Sequence, residues 1–200
     1  MGAEMNWKDI YGYIDYWKNI KYIQGYIVYP DYLLMKEVAS QFDGDFSVLE
    51  IGSLYGKSSV AWASLGGNVH CLDSWAEDAH TDNTDCNIVY NKFLENTKEY
   101  NITHTKISHV HPMTEDIFYD VGDYDVVFYD ACHSKKSTYN MIQYWKHKTK
   151  FLVLDDLQMQ DVSDAIKDSG IKLNTRIFSK MGYTKGSSEM HGKRYKKWDM

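Results

Sequence analysis

Five acidic side chains stand at or near the ends of short apolar runs, where they could form a polar binding site. Glu50 lies near the end of the run 46–51, and Asp73 and Asp130 each close a later run. Asp155 and Asp156 together close another. In an open α/β sheet, the carboxyl ends of the strands border the ligand crevice. The pattern therefore predicts a site that concentrates negative charge at one edge of a sheet.

A glycine-containing turn follows Glu50 directly, with Gly52, Ser53, Gly56 and Ser58 as its small residues. Glycines at a strand-to-helix turn permit positive φ and let a ligand approach the backbone closely. Only three residues separate Gly52 from Gly56, one fewer than a P-loop requires, and the dinucleotide pattern G-x-G-x-x-G is absent. Glu50 would also repel a pyrophosphate. A turn without a ligand remains the other interpretation.

Apolar runs that alternate with helical segments must position these side chains. Continuous apolar strands separated by helices predict a parallel sheet covered on both faces. We expect a Rossmann-like, doubly wound, mostly parallel sheet, closed by a C-terminal antiparallel hairpin from 172–179 and 192–198. The strands are predicted at 46–51, 69–73, 105–110, 124–130 and 151–156. The helices are predicted at 29–42, in a stretch that begins near 57, in a separate region that includes 90–97, at 137–145 and at 162–168.

The chain shows no repeat, low-complexity tract or Pro/Gly/Ser-rich linker, which favours one globular unit. We expect residues 1–44 to form a helical cap or lid and residues 45–200 to form the binding domain. Trp7, Ile10, Ile14 and Trp17 recur at helical spacing near the start. This aromatic stripe indicates a helix that packs over another surface, and packing across a homo-oligomer is one arrangement it would allow.

The turn, read as E-x-G-S-x-x-G-x-S from Glu50 to Ser58, resembles the first motif of class I S-adenosylmethionine-dependent methyltransferases. Leu54 stands where the commoner form of this motif, G-x-G-x-G, has its middle glycine. In this respect the turn resembles that of the macrocin-type sugar O-methyltransferases, with catechol O-methyltransferase a more distant relative. Phe128–Ser134 resembles that branch's D-G-D-H-S segment, and Leu152–Asp156 its V-I-V-D-D strand. The resemblance covers about residues 45–166.

The resemblance implies S-adenosylmethionine as cofactor. An acid at Glu50 suits a ligand with a sulfonium and an ammonium group, and Asp73 would bind ribose hydroxyls. Trp75 would flank the adenine, although simple packing is an equal interpretation. The complete implied cofactor set is Glu50, Gly52, Ser53, Gly56, Ser58, Asp73, Trp75, Asp130 and Thr114, the last within the adenine-contacting loop 112–116.

By the same resemblance, Asp130, Asp155 and Asp156 would bind a divalent cation. Carboxylates without thiolate or imidazole partners favour Mg²⁺ or another hard ion, which would hold acceptor oxygens and lower a hydroxyl pKa. Capping of the next helix or turn is the other interpretation of Asp155 and Asp156. His133 would serve as the base beside Asp130.

The predicted function is therefore methyl transfer, with metal assistance, to a small hydroxylated substrate. Cys132 stands where the resembling pattern has a second acid. If relatives use that acid as the base, the chain either shifts the task to His133 or lacks the reaction. A catalytically inactive cofactor-binding module on the same fold therefore remains the alternative.

Composition limits the partners. The formal net charge is −6, which disfavours nucleic acid, and the basic tail 193–197 fits an edge strand protected by lysines. No segment is apolar and long enough to span a membrane, and residues 1–6 lack a secretory pattern. Three cysteines without metal-ligand spacing favour reduced thiols, so we expect a cytoplasmic protein.

Overall fold

The computed structural model describes residues 16, 18, 20–75, 86–107 and 122–186. The aromatic stripe of residues 7–17 falls almost wholly outside them, as do the loop 112–116 with Thr114 and the basic tail 193–197. The described helices are α1 (Tyr29–Ala39), α2 (Lys57–Ser64), α3 (Cys86–Thr97), α4 (Lys135–Trp145) and α5 (Gln160–Ser169). The strands are β1 (Phe46–Ile51), β2 (Gly67–Asp73), β3 (Ile102–Lys106), β4 (Val126–Tyr129), β5 (Phe151–Leu154), β6 (Asn174–Thr175) and β7 (Gly182–Lys185).

The seven strands form one sheet in the order β3-β2-β1-β4-β5-β7-β6. Strands β1 to β5 are parallel, whereas β7 runs antiparallel to both β5 and β6. The order reverses beside β1, so the turn after β1 lies at the topological switch point where such sheets bind ligands. The predicted fold class, a mostly parallel doubly wound sheet with an antiparallel C-terminal end, is confirmed.

Alternate strand residues fill two cores, one on each face of the sheet. Helices α1, α2 and α3 cover one face, where Trp62 and Phe93 are completely buried. Helices α4 and α5 cover the other face, where Trp145 is buried. All residues of β4 and β5 are buried, as expected for strands with helices on both sides. This double cover explains their continuous apolar composition.

Helix α1 belongs to the same core as the sheet. Its Tyr32, Leu34, Met35 and Val38 are buried in the cluster that contains α2 and α3. Pro30 lies in the first turn, and Asp31 accepts a hydrogen bond from the Val28 amide at 3.1 Å. The division of the chain at residue 44 remains a prediction.

Three predicted boundaries differ from the structure by the largest amounts. Helix α1 ends at Ala39 rather than Phe42. Strand β3 spans Ile102–Lys106 rather than 105–110, because this edge strand is largely exposed and polar and has no apolar run to mark it. The partner of β6 is β7 at Gly182–Lys185 rather than 192–198, which lies outside the described residues.

Among the described helices, none combines the length and apolarity needed to cross a membrane.

Candidate functional site

The turn between β1 and α2 has a left-handed backbone at three positions. Gly52, Leu54 and Gly56 have φ of +90°, +46° and +82°. A Cβ atom on Gly52 would overlap the carbonyl oxygen of Asp130, which follows β4. A glycine is therefore required at position 52 for two reasons, the positive φ and the close approach of two backbone segments. This contact joins the glycine turn to the end of β4.

Asp73, at the end of β2, holds the glycine turn in shape. Its Oδ2 accepts hydrogen bonds from the amides of Ser53 at 2.7 Å and Leu54 at 2.9 Å. Its Oδ1 accepts a third from the Trp75 amide at 2.8 Å. Three backbone donors thus converge on one buried carboxylate. Asp73 lies beside the turn as predicted, and the structure adds a direct role in organising the backbone there.

Glu50 is completely buried beneath the turn. Its Oε2 accepts hydrogen bonds from the Ser59 hydroxyl and, at 3.3 Å, from the Cys71 thiol. Its Oε1 and the Ser53 hydroxyl have no hydrogen-bond partner in the described part of the chain. Buried polar atoms normally find partners, so these two unpartnered atoms at one turn mark a position that an ordered water or a polar ligand group would satisfy. These residues suit the ammonium-bearing end of S-adenosylmethionine.

Burial outweighs the nearby serine hydroxyls and raises the pKa of Glu50 from 4.5 to about 7. Between these values the folded protein holds a proton that the unfolded chain has lost, so stability falls as the pH rises. We expect the free energy of unfolding to drop by about 2 to 3 kcal/mol from pH 5 to pH 8 through this group alone. In Glu50→Gln that component should vanish, as measured by urea unfolding at both pH values.

The exposed Glu99→Gln is the matched control, because it makes the same chemical change on the surface. It should keep the pH dependence of the unmodified protein. An equal pH dependence in Glu50→Gln and the unmodified protein would show that Glu50 is not the titrating group.

Trp75 and Ser58 are both buried near the turn. The Trp75 ring packs against Tyr90 and Phe93 of α3, with centroid distances of 4.9 and 4.6 Å, and its indole donates to the Leu54 carbonyl at 2.9 Å. The packing interpretation therefore has direct support, and an adenine contact remains a prediction. Ser58 lies in the first turn of α2.

A second polar group lies at the carboxyl ends of β4 and β5. His133 Nε2 is 3.0 Å from Asp156 Oδ2 and 3.6 Å from Asp130 Oδ1. The carboxylates of Asp130 and Asp156 raise the pKa of His133 to about 10. The imidazole therefore carries a proton at neutral pH.

Asp155 faces a lysine that sequence reasoning did not single out. Lys180 Nζ lies 2.6 Å from Asp155 Oδ2 and 3.1 Å from Asp156 Oδ1. The other Asp155 oxygen accepts the Asp156 amide at 2.8 Å. We call Asp130, His133, Asp155, Asp156 and Lys180 the acidic cluster. The three predicted aspartates are thus brought together, with an ammonium group among them.

This arrangement does not suit the predicted magnesium site, because both Asp155 oxygens already have donors. Asp130, His133 and Asp156 do offer one atom each within 4.8 Å of one another, a spacing that a metal ion could bridge. Yet Asp156 also contacts Lys180, whose Nζ lies 3.1 Å from Oδ1. A metal ion would have to displace positive charge that the chain itself supplies.

Cys132 does not point into the acidic cluster. Its buried Sγ lies 3.3 Å from the hydroxyl of Ser134, the N-cap residue of α4. Its carbonyl accepts hydrogen bonds from the Tyr129 and Thr138 hydroxyls. Cys132 therefore contributes to the packing at the start of α4.

Sequence reasoning missed four residues that complete the site. Ser59 and Cys71 hold Glu50, Lys180 pairs with the aspartates, and Asp31 anchors the loop that carries Lys180. None belongs to a motif. The helical position of Ser59, one turn after Gly56, is the only sequence signal that could have pointed to it.

Residues 49–156, just over half of the chain, match the family model described as "Methyltransferase domain". The chain belongs to this methyltransferase family. The match contains the second half of β1, the glycine turn, Asp73, Asp130 and the Asp155–Asp156 pair, so it covers most of the geometry described above.

Solved structures show the same fold. The methyltransferase resembles cofactor-bound Rv0187 from MTB, with a TM-score of 0.55, 13% identity, and coverage of 94% of this chain and 93% of that one. It resembles an O-methyltransferase from Bacillus cereus in complex with SAH, with a TM-score of 0.52, 15% identity and 90% coverage of both chains.

A precorrin-6y C5,15-methyltransferase from Geobacter metallireducens GS-15 is similar at a TM-score of 0.55 and 15% identity, covering 78% of this chain and 80% of that one. No curated protein shows a significant sequence match to the methyltransferase. The structures therefore establish the fold, and the acceptor must be argued from the site.

Proposed function

We propose that the methyltransferase transfers a methyl group from S-adenosylmethionine to a hydroxyl group of a small molecule. The observation that carries this proposal is the acidic cluster at the ends of β4 and β5, directly beside the glycine turn. The contact between Gly52 and the Asp130 carbonyl brings the two groups together. One half of the site suits the donor, and the other half can orient an oxygen acceptor and receive its proton.

The donor half is organised before any ligand binds. The Asp73 carboxylate accepts hydrogen bonds from the amides of Ser53 and Leu54. Beneath them, the buried Oε1 of Glu50 has no hydrogen-bond partner among the described residues. When bound, S-adenosylmethionine supplies an electrophilic methyl group on a positively charged sulfur. Because the displacement is in line, most of the rate enhancement must come from positioning.

On the acceptor half, we assign the transfer of the hydroxyl proton to His133, assisted by Asp130. The acceptor oxygen forms its bond to carbon as the carbon–sulfur bond breaks, the electron pair stays on sulfur, and the hydroxyl proton needs a base. His133 holds a proton at rest, so it acts as that base only after releasing this proton to solvent, and it then takes up the hydroxyl proton. Asp130 then stabilises the imidazolium that forms.

The proposal is tested first by calorimetry with S-adenosylmethionine, then by transfer of a labelled methyl group to a panel of sugars, polyols and catechols. We expect binding and a methyl ether product. Binding without transfer to any acceptor would favour an inactive cofactor-binding module. No binding would overturn the assignment of the cofactor.

The absence of a nucleic-acid partner also remains a prediction, supported by the net charge of −6.

We expect His133→Asn to lower kcat by about 100-fold, the lower end of the range for loss of a general base. The affinity for S-adenosylmethionine should stay within about twofold, because His133 lies on the acceptor half. The matched control is Lys136→Ala, an exposed position three residues further along. It should retain full kcat, and an active His133→Asn would exclude this residue as the base.

A further inference from the structure

Lys180 is held in place from several directions. The Asp31 carboxylate accepts hydrogen bonds from the Lys180 amide at 3.1 Å and from the Ser179 hydroxyl at 2.8 Å. The Lys180 carbonyl accepts one from the Leu157 amide at 3.0 Å. Asp31 itself is completely buried at the start of α1. Lys180 is therefore part of an ordered network, and its side chain is directed at the cluster.

The ammonium group of Lys180 sits where carboxylates would hold a metal ion. It bridges Asp155 and Asp156, the two aspartates that end β5, and the Asp155 side chain is fully buried.

A second side chain contacts Asp156 from the other side. The His133 imidazole lies 3.0 Å from Oδ2 of Asp156, while Lys180 contacts Oδ1. Each oxygen of Asp156 thus already faces a nitrogen atom of another side chain. A hard divalent ion needs several free carboxylate or water oxygens around it, and the cluster offers few.

We propose that Lys180 replaces a divalent cation in this methyltransferase, supplying the positive charge on the acceptor half so that methyl transfer proceeds without a metal ion. The inference rests on the proposed function for its catalytic part. Lys180 acts as a positioning residue, because it holds Asp155 and Asp156 and thereby orients Asp156 towards His133.

The first test measures Mn²⁺ binding to the full chain, with the free ion quantified by electron paramagnetic resonance. We expect no specific binding when protein and ion are each at about 1 mM. A titration at these concentrations detects dissociation constants up to about 1 mM. Specific binding of Mn²⁺ by the unmodified protein would overturn the inference, whether or not the protein is active. Failure to bind S-adenosylmethionine would instead overturn the proposed function alone.

The second test removes the ammonium. Lys180→Gln leaves the aspartates without their cation and should bind Mn²⁺ at least 10-fold more tightly than the unmodified protein. Lys180→Arg retains the charge and should bind no better. Unchanged Mn²⁺ affinity in folded Lys180→Gln would contradict the inference, and if this variant does not fold, the measurement on the unmodified protein decides.

The third test uses turnover. Methyl transfer should be unchanged within about twofold after dialysis against EDTA, a change too small to represent loss of a catalytic group. Turnover that is lost in EDTA and restored by Mg²⁺ would overturn the inference.

Discussion

Gly52→Ala should destabilise the methyltransferase by at least about 4 kcal/mol, or leave no folded protein at all. The new Cβ atom would overlap the backbone carbonyl of Asp130, and no side-chain rotation can relieve a clash between backbone segments. The clash also lies beside the pairing of β1 and β4, where the Asp130 amide donates to the Ile51 carbonyl at 2.9 Å. Urea unfolding followed by circular dichroism measures the change.

The matched control is Gly170→Ala. Gly170 has a comparable φ of +73°, but a Cβ there would meet no atom within 4 Å. Its substitution should cost only the backbone strain of about 1 to 2 kcal/mol. If both variants lose the same stability, the approach of Gly52 to Asp130 is not a constraint on the fold.

Asp73→Asn should weaken S-adenosylmethionine binding by roughly 100-fold and lower the free energy of unfolding by about 2 to 4 kcal/mol. The carboxylate uses both oxygens to accept three backbone amides. An asparagine has one oxygen, so in either orientation its NH₂ group faces at least one donor. The glycine turn would then lose its shape. Calorimetry and urea unfolding give the two values.

Asp45→Asn provides the comparison for Asp73→Asn. Asp45 is exposed just before β1, far along the strand from the glycine turn. This variant should bind the cofactor normally. Normal affinity in Asp73→Asn as well would show that the turn does not depend on this carboxylate.

Much of the sheet could be predicted because its central strands are buried on both faces. Strands β1 and β5 were located at Phe46 and Phe151 by short runs that are mostly apolar in β1 and wholly apolar in β5. Strand β3 was misplaced because its exposed residues carry no such signal. The short strand β7 was missed for a related reason, since Tyr183 is the only large apolar residue among its four.

The acidic half of the site was predictable for a topological reason: carboxyl ends of adjacent parallel strands must meet. Asp130 and Asp156 follow neighbouring strands, and the fold brings them together. The pairing of Lys180 with Asp155 follows no such rule, because 25 residues separate them and the contact depends on where one loop folds back. The anchoring of that loop by Asp31 spans 149 residues and is equally invisible in the linear order.

The anchoring of the Lys180 loop has a consequence for how function is transferred between relatives. Asp31 and Lys180 both lie outside residues 49–156, the stretch by which membership of the family is recognised. Two proteins could therefore match that stretch equally well and still differ in whether their aspartates hold a lysine or an ion. A survey of relatives for metal requirement should sort them by the residue that corresponds to Lys180, in the loop between β6 and β7, and not by the shared motifs.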